Sequence, residues 1–224
     1  MAHYFTDNSN LRSVLRKIDY ENKGYVFTFL SDNGVFSKNK IDYASELLVN
    51  TIINNTKNCD DILDVGCGYG FIGITLSKML NSHVTMVDVN NRAIHLALEN
   101  IKKNKINGEA FNSDIYENIT GKYNLIVSNP PIRAGKNTVL NILRNAKDYL
   151  KDNGVLWFVI NKNQGAKSII KELEDIYKIH IKERSKGFYV IMAEILAKNN
   201  WQLDTLLLEL YIGDMWFWFN CEFI

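Results

Sequence analysis

The 224 residues carry 26 Lys+Arg against 25 Asp+Glu, with 46% apolar residues, 12% aromatics and only two prolines. This composition excludes collagen-like, low-complexity and disordered chains and can supply a sizeable core. Cys59, Cys67 and Cys221 are too few for a disulfide framework, and none stands in a C-x-x-C or beside a histidine at zinc-ligand spacing, so a reducing, cytoplasmic setting without a metal is expected. A polar first ten residues and the lack of a long uncharged apolar run predict neither a secretion signal nor a membrane span.

Taken in chain order, Tyr25–Leu30, Asp32-Asn33-Gly34 and Val35-Phe36 read as a β-hairpin around a tight turn. Asp42 then caps a helix with the apolar stripe Ala44, Leu47, Leu48 and Ile52. From about residue 60 strand-like and helix-like patterns alternate. Ile62–Val65 is a short apolar strand ending in a glycine cluster, and Phe71–Leu80 is a helix. The strand His83–Val87 ends at Asp88, and the helix Ala93–Asn104 carries an apolar stripe. Glu109–Asn112 is a weak strand ending at Asp114, and Tyr123–Ser128 a strong one ending at Asn129. A helix over Asn137–Leu150 is closed by Asp152-Asn153-Gly154, and Gly154–Ile160 is a buried strand. The helix Gln164–Ile176 leads to a hairpin of Tyr177–Glu183 and Phe188–Leu196. This alternation predicts an α/β fold with a doubly wound, mostly parallel seven-stranded sheet, a C-terminal antiparallel hairpin, and an N-terminal β-hairpin plus helix. The expected organisation is one domain over 1–200, with a cover at 1–57 and a core at 58–197. An apolar, acidic extension follows at 201–224.

Asp64-Val65-Gly66-Cys67-Gly68-Tyr69-Gly70 sits between a strand and a helix, where glycines allow close backbone approach to a ligand. Gly68-x-Gly70-x-x-Gly73 also satisfies the dinucleotide fingerprint, so a nicotinamide or flavin stays open at this point. Asp88, at the end of the next strand, can accept from two ribose hydroxyls whichever cofactor carries them. Asp114, at the equivalent end of the third strand, can take a hydrogen bond from an adenine amine. Both prolines of the chain fall in Ser128-Asn129-Pro130-Pro131-Ile132. They stiffen the backbone, remove two N–H donors and leave carbonyls and the Asn129 amide to face an exocyclic amine.

DVGCGYG, VDVN, NSD and SNPPI, in that order on successive strand ends, resemble the class I S-adenosylmethionine-dependent methyltransferases with their Rossmann-like sheet. YVFTFLSDNGVFSKNKID, NPPIRAGK, NQGAK and KGFYVI are similar to the ribosomal RNA small-subunit guanine-N2 methyltransferases, in single-domain form, over about residues 20–197. The resemblance implies S-adenosylmethionine as cofactor. Asp64, Gly66, Cys67, Gly68 and Gly70 would surround its methionine and ribose, Asp88 and Val89 its ribose hydroxyls, and Ser113 and Asp114 its adenine. Asn129 takes the position that meets the target amine, with the Pro130 carbonyl as second acceptor. Ile132 stands where an aromatic is commoner among amine-methylating relatives, so stacking on the base would come from elsewhere, for example Phe36.

The implied partner is small-subunit rRNA, with the target base single-stranded, looped or flipped. Candidate phosphate contacts are Arg12, Arg16, Lys17, Lys38 and Lys40, and Arg133 and Lys136 beside Pro131. Lys102-Lys103-x-Lys105 reads as a solvated helix end. The four histidines, His3, His83, His95 and His180, form no metal spacing. Rival readings are methylation of a protein glutamine or of adenine, and a non-catalytic cofactor-binding assembly factor. Residues 201–224 hold four of the 25 acids and no base, so the first 200 residues carry +5. The near-neutral average therefore conceals a modestly basic body.

Overall fold

A computed structural model describes residues 11–196. The expected extension at 201–224, with Cys221, and His3 in the first ten residues lie outside the described residues. The elements are β1 (Arg16–Asn22), β2 (Tyr25–Ser31), α1 (Tyr43–Asn55), β3 (Asp61–Val65), α2 (Phe71–Leu80), β4 (His83–Asp88) and α3 (Asn91–Asn104). They continue with β5 (Gly108–Asn112), β6 (Tyr123–Ser128), α4 (Lys136–Asn145), β7 (Leu150–Asn161), α5 (Ala166–Leu173), β8 (Tyr177–Ser185) and β9 (Phe188–Ile195).

Seven strands form one sheet in the order β5-β4-β3-β6-β7-β9-β8, parallel from β5 to β7 and antiparallel at the β9 and β8 end. Period-two alternation explains its two apolar faces. Ile62, Leu125, Val127, Trp157 and Val159 pack with α1, α2, α3 and the N-terminal hairpin. Their neighbours Leu63, Val65, Ile126, Leu156, Phe158 and Ile160 pack with α4 and α5. The chain runs outward from β3 through β4 to β5, then returns to β6 on the other side of β3. The ends of β3 and β6 thus flank the topological switch point, where such sheets open a crevice.

Three local expectations are corrected. The N-terminal hairpin pairs β1 with β2 and turns at Lys23-Gly24, both at positive φ, as a two-residue hairpin requires. Charged residues hide β1, RKIDYEN, where only Ile18 is buried. Asp32-Asn33-Gly34 lies beyond the hairpin, and Val35-Phe36 is no strand. Helix α4 ends at Asn145 and passes into a 3-10 turn over Ala146–Tyr149. Asp152-Asn153-Gly154 is no helix stop but lies inside β7, opposite a register shift in its pairing with β6. A Cβ on Gly154 would come within 2.8 Å of the Tyr123 carbonyl oxygen, so the bulge needs glycine for close backbone approach.

Candidate active site

The glycine loop after β3 is tied down by its own backbone. The Gly66 and Cys67 N–H groups donate to the Val87 carbonyl at 2.9 and 3.0 Å. Gly66 and Gly68 have φ of +76° and +57°, and a Cβ on either would meet no protein atom within 4 Å. Both line an open cleft whose volume, counting its mouth, is about 1120 Å³. Cys67 also lines the cleft, but burial pushes its thiol well above the ordinary range and leaves it no nucleophile.

Asp88 joins two walls of this cleft. One carboxylate oxygen accepts from the Gly68 N–H and the other from the Asn90 N–H, both at 2.9 Å. Burial pushes its pKa up, against these donors. Each oxygen retains acceptor capacity for a ligand hydroxyl. Val89, Ser113 and Asp114 continue the wall. Ser113 is held by its N–H to the Asp88 carbonyl at 3.2 Å and by its hydroxyl, which accepts from the Asn118 N–H at 3.1 Å. Ile115, beside them in the cleft, holds φ at +52°. A β-branched residue there is strained, and such strain persists where the surroundings enforce it.

The opposite wall is Asn129-Pro130-Pro131. The Ser128 hydroxyl donates to the Val65 carbonyl at 2.8 Å, locking the end of β6 to that of β3. The Asn129 amide nitrogen donates to Ser45 Oγ at 2.9 Å and Asp42 Oδ2 at 3.2 Å. Its oxygen takes part in neither of these bonds. Asp42 was foreseeable as the cap of α1, but its contact with a loop 87 residues later was not.

Phe36, Gly66, Cys67, Gly68, Asp88, Val89, Ser113, Asp114, Asn129, Pro130 and Pro131 thus share one cleft. Asp64 sits behind the loop, accepting from the Gly73 N–H at 2.9 Å. Gly70 begins α2, with its φ at +89°. Ile132 packs toward the core, and Arg133 is exposed on a 3-10 turn. The Lys136 ammonium is engaged by Glu172 and by Ser168 Oγ on α5. Lys38, with Arg12 and Lys40, lines a second groove that shares Phe36 and Ser37 with the first. Ser45 and Ile115 are cleft residues outside the motifs, and Asp42 and Tyr69 stand inside motifs that assign them no role in the site. Ile115 follows a strand-end Asp directly, the one sequence signal that could have indicated it. Among the described residues no cluster of His, Cys, Asp and Glu could hold a metal, and no helix is long and apolar enough to cross a membrane.

Residues 26–192 match the family described as Methyltransferase small domain. The chain belongs to that family. This methyltransferase small domain is 39% identical over 197 residues to YbxB of Bacillus subtilis (strain 168), a protein of uncharacterised activity, across 86% of this chain and 98% of that one. It is 34% identical over 157 residues to the ribosomal RNA small subunit methyltransferase C of Haemophilus influenzae (strain PittGG), across 68% of this chain and 47% of that protein. The chain therefore spans about half the length of that named rRNA methyltransferase. In fold, it is similar to a T. Thermophilus 16S rRNA N2 methyltransferase solved with AdoMet and guanosine, with a TM-score of 0.73, 24% identity and 83% and 52% of the two chains covered. A ribosomal protein L11 methylase from Lactobacillus delbrueckii subsp. bulgaricus gives a TM-score of 0.62 at 21% identity, over 70% and 81% of the chains.

Proposed function

We propose that this protein transfers a methyl group from S-adenosylmethionine to the exocyclic amine of a guanine in small-subunit ribosomal RNA, acting as a single catalytic unit in the cytoplasm. The cleft fits that cofactor. Asp88 offers an acceptor on each oxygen for the ribose hydroxyls, and the open Gly66–Gly68 backbone admits the methionine end. Asp114 and Ile115 line the cleft beside Ser113 and would meet the adenine. When bound, the cofactor supplies an electrophilic methyl on its sulfonium.

The chain's own contribution is orientation. An aromatic amine is a weak nucleophile because its lone pair is delocalised into the ring. Two acceptors, Asn129 Oδ1 and the Pro130 carbonyl, would each accept a hydrogen bond from one amine N–H, favouring a tetrahedral nitrogen and aiming its lone pair; as the N–C bond forms and the methyl's bond to sulfur breaks, the nitrogen loses one of the two protons to solvent. Positioning and preorganised dipoles then carry the rate, with no strong base. The observation that supports this best is the tethering of Asn129 at the cleft by its amide nitrogen and not by its oxygen. An rRNA acceptor is supported by the named Haemophilus influenzae relative, and guanine by the guanosine bound to the T. Thermophilus neighbour.

Transfer of radiolabelled methyl to small subunits, free rRNA, tRNA, DNA and release factors tests the acceptor. Label in small-subunit RNA as N2-methylguanine is expected. Label in release factor, in adenine, or nowhere would replace this reading with glutamine methylation, adenine methylation or a non-catalytic binding role. Asn129→Ala is expected to abolish transfer while cofactor affinity changes by only about threefold or less. Unchanged turnover would remove Asn129 from the reaction.

A further inference from the structure

The side chain of Asn129 can present either an oxygen or an NH₂ to the cleft, and only the oxygen can accept a hydrogen bond from a target amine. Asp42 settles which. A carboxylate oxygen only accepts, so the 3.2 Å contact with Asp42 Oδ2 must come from the Asn129 nitrogen. Ser45 Oγ donates its single proton to the same Asp42 oxygen at 3.1 Å and so accepts from Asn129 at 2.9 Å. The carboxylate is itself fixed by the Ser45 backbone N–H at 2.9 Å, the N-cap bond of α1. These three side chains have one self-consistent arrangement of protons. A flipped amide would set two acceptor oxygens against each other.

Resting on the proposed amine methylation, we infer that Asp42 and Ser45 are positioning residues for methyl transfer, holding Asn129 with its oxygen toward the target amine. Neither is asked to touch the reacting atoms. Their effect is to exclude the orientation in which the Asn129 NH₂ would face, and repel, another amine. The start of α1, which precedes the cofactor-binding strands, thereby belongs to the reaction and not only to the packing.

The test uses the full chain, with S-adenosylmethionine and small ribosomal subunits as substrates. The double variant Asp42→Ala/Ser45→Ala is expected to lower kcat about a hundredfold, with KM for the subunits and cofactor Kd each within about threefold. Ser45→Thr, which retains the hydroxyl, and Asp42→Asn, whose amide oxygen can accept the same bonds, are expected within about tenfold of the parent kcat. Asn54→Gly, exposed on α1 away from the cleft, where the side chain accepts only from the Lys23 ammonium at 2.8 Å, controls for destabilisation of α1 and its hairpin contact. The inference is overturned if the double variant keeps its kcat, if the loss appears in cofactor Kd instead, or if Asn54→Gly reproduces it at equal melting temperature. If the parent protein methylates no RNA, the proposed function itself fails and this inference with it. If the parent is active and the double variant equally so, only the positioning role fails.

Discussion

Asp64 is wholly buried, with one carboxylate oxygen accepting from Gly73 and the other without a partner among the described residues. Burial is the main reason its pKa is pushed from 3.8 up to about 7. Between those values the native state retains a proton that the unfolded chain has released. This group's stabilising contribution is therefore full at the acid end and falls as pH rises to neutrality. Asp64→Asn keeps an acceptor for Gly73 and cannot ionise. Its denaturant midpoint is expected to vary less with pH across that window than the parent's, and parallel curves would mean that Asp64 is ionised throughout. Gly73 itself is required by space: a Cβ would lie 2.7 Å from the Met86 sulfur and 3.1 Å from Asp64 Oδ2. Gly73→Ala is expected to destabilise by about 1–3 kcal/mol in urea unfolding. The glycine loop, Asp88, Asp114 and Asn129 were all legible because each stands at the end of a strand. Asp42 and Ser45 were not, because sequence shows a helix cap but not what the cap faces.

The N-terminal hairpin docks through two asparagines one turn apart on α3. Asn100 accepts from the Leu30 N–H at 2.7 Å and donates to the Leu30 and Tyr69 carbonyls at 2.9 and 2.8 Å. Asn104 repeats the exchange with Thr28, at 3.0 and 2.9 Å. The edge of β2 is thus satisfied by a helix carrying strand-like partners, and Phe27 and Phe29 are buried beneath it. Asn100→Ala leaves one donor and two acceptors buried without partners and is expected to cost about 2–4 kcal/mol, read as a lower urea midpoint. A loss under about 1 kcal/mol would mean that water replaces the side chain there. Both asparagines fall on the apolar stripe of an amphipathic helix, where sequence alone reads them as interruptions. The helix and strand types from β3 onward were legible from their periods. The hairpin turn was misplaced, because Asp-Asn-Gly is a stronger turn signal than Lys-Gly and β1 is mostly charged.

For the molecule as a whole, the +5 of the first 200 residues is not spread evenly around the cleft. Arg12, Lys38 and Lys40 line the groove that meets the cleft at Phe36 and Ser37, whereas Lys136 is paired with Glu172 and Lys17 with Asp19. The groove is braced from α3: Arg92 donates to the Asn33 carbonyl at 3.0 Å and Asn90 to the Gly34 carbonyl at 2.9 Å. Under the proposed rRNA methylation, this groove is the basic path by which a strand would reach the cleft. Replacing Arg12, Lys38 and Lys40 by Ala is expected to flatten the salt dependence of single-stranded RNA binding by about 2 in log–log slope, at about 0.7 per phosphate contact. Lys102→Ala/Lys103→Ala, at the far end of α3, is expected to leave the slope unchanged. Fluorescence anisotropy over a salt series measures both, and equal slopes for all three proteins would remove the groove from the RNA path.

Sequence by itself determined the doubly wound sheet, because period-two and helical patterns alternate without interruption, and it determined most of the cleft, because motif residues stand where strands end. Those are local properties that a chain carries in its order of residues. Tertiary structure decided which polar groups meet: the α3 asparagines pairing with β2, and Asp42 with Ser45 holding Asn129. Each is a hydrogen bond between segments distant in the chain. Its partners are selected by the packing that removes water from both, and no spacing along one segment records that choice.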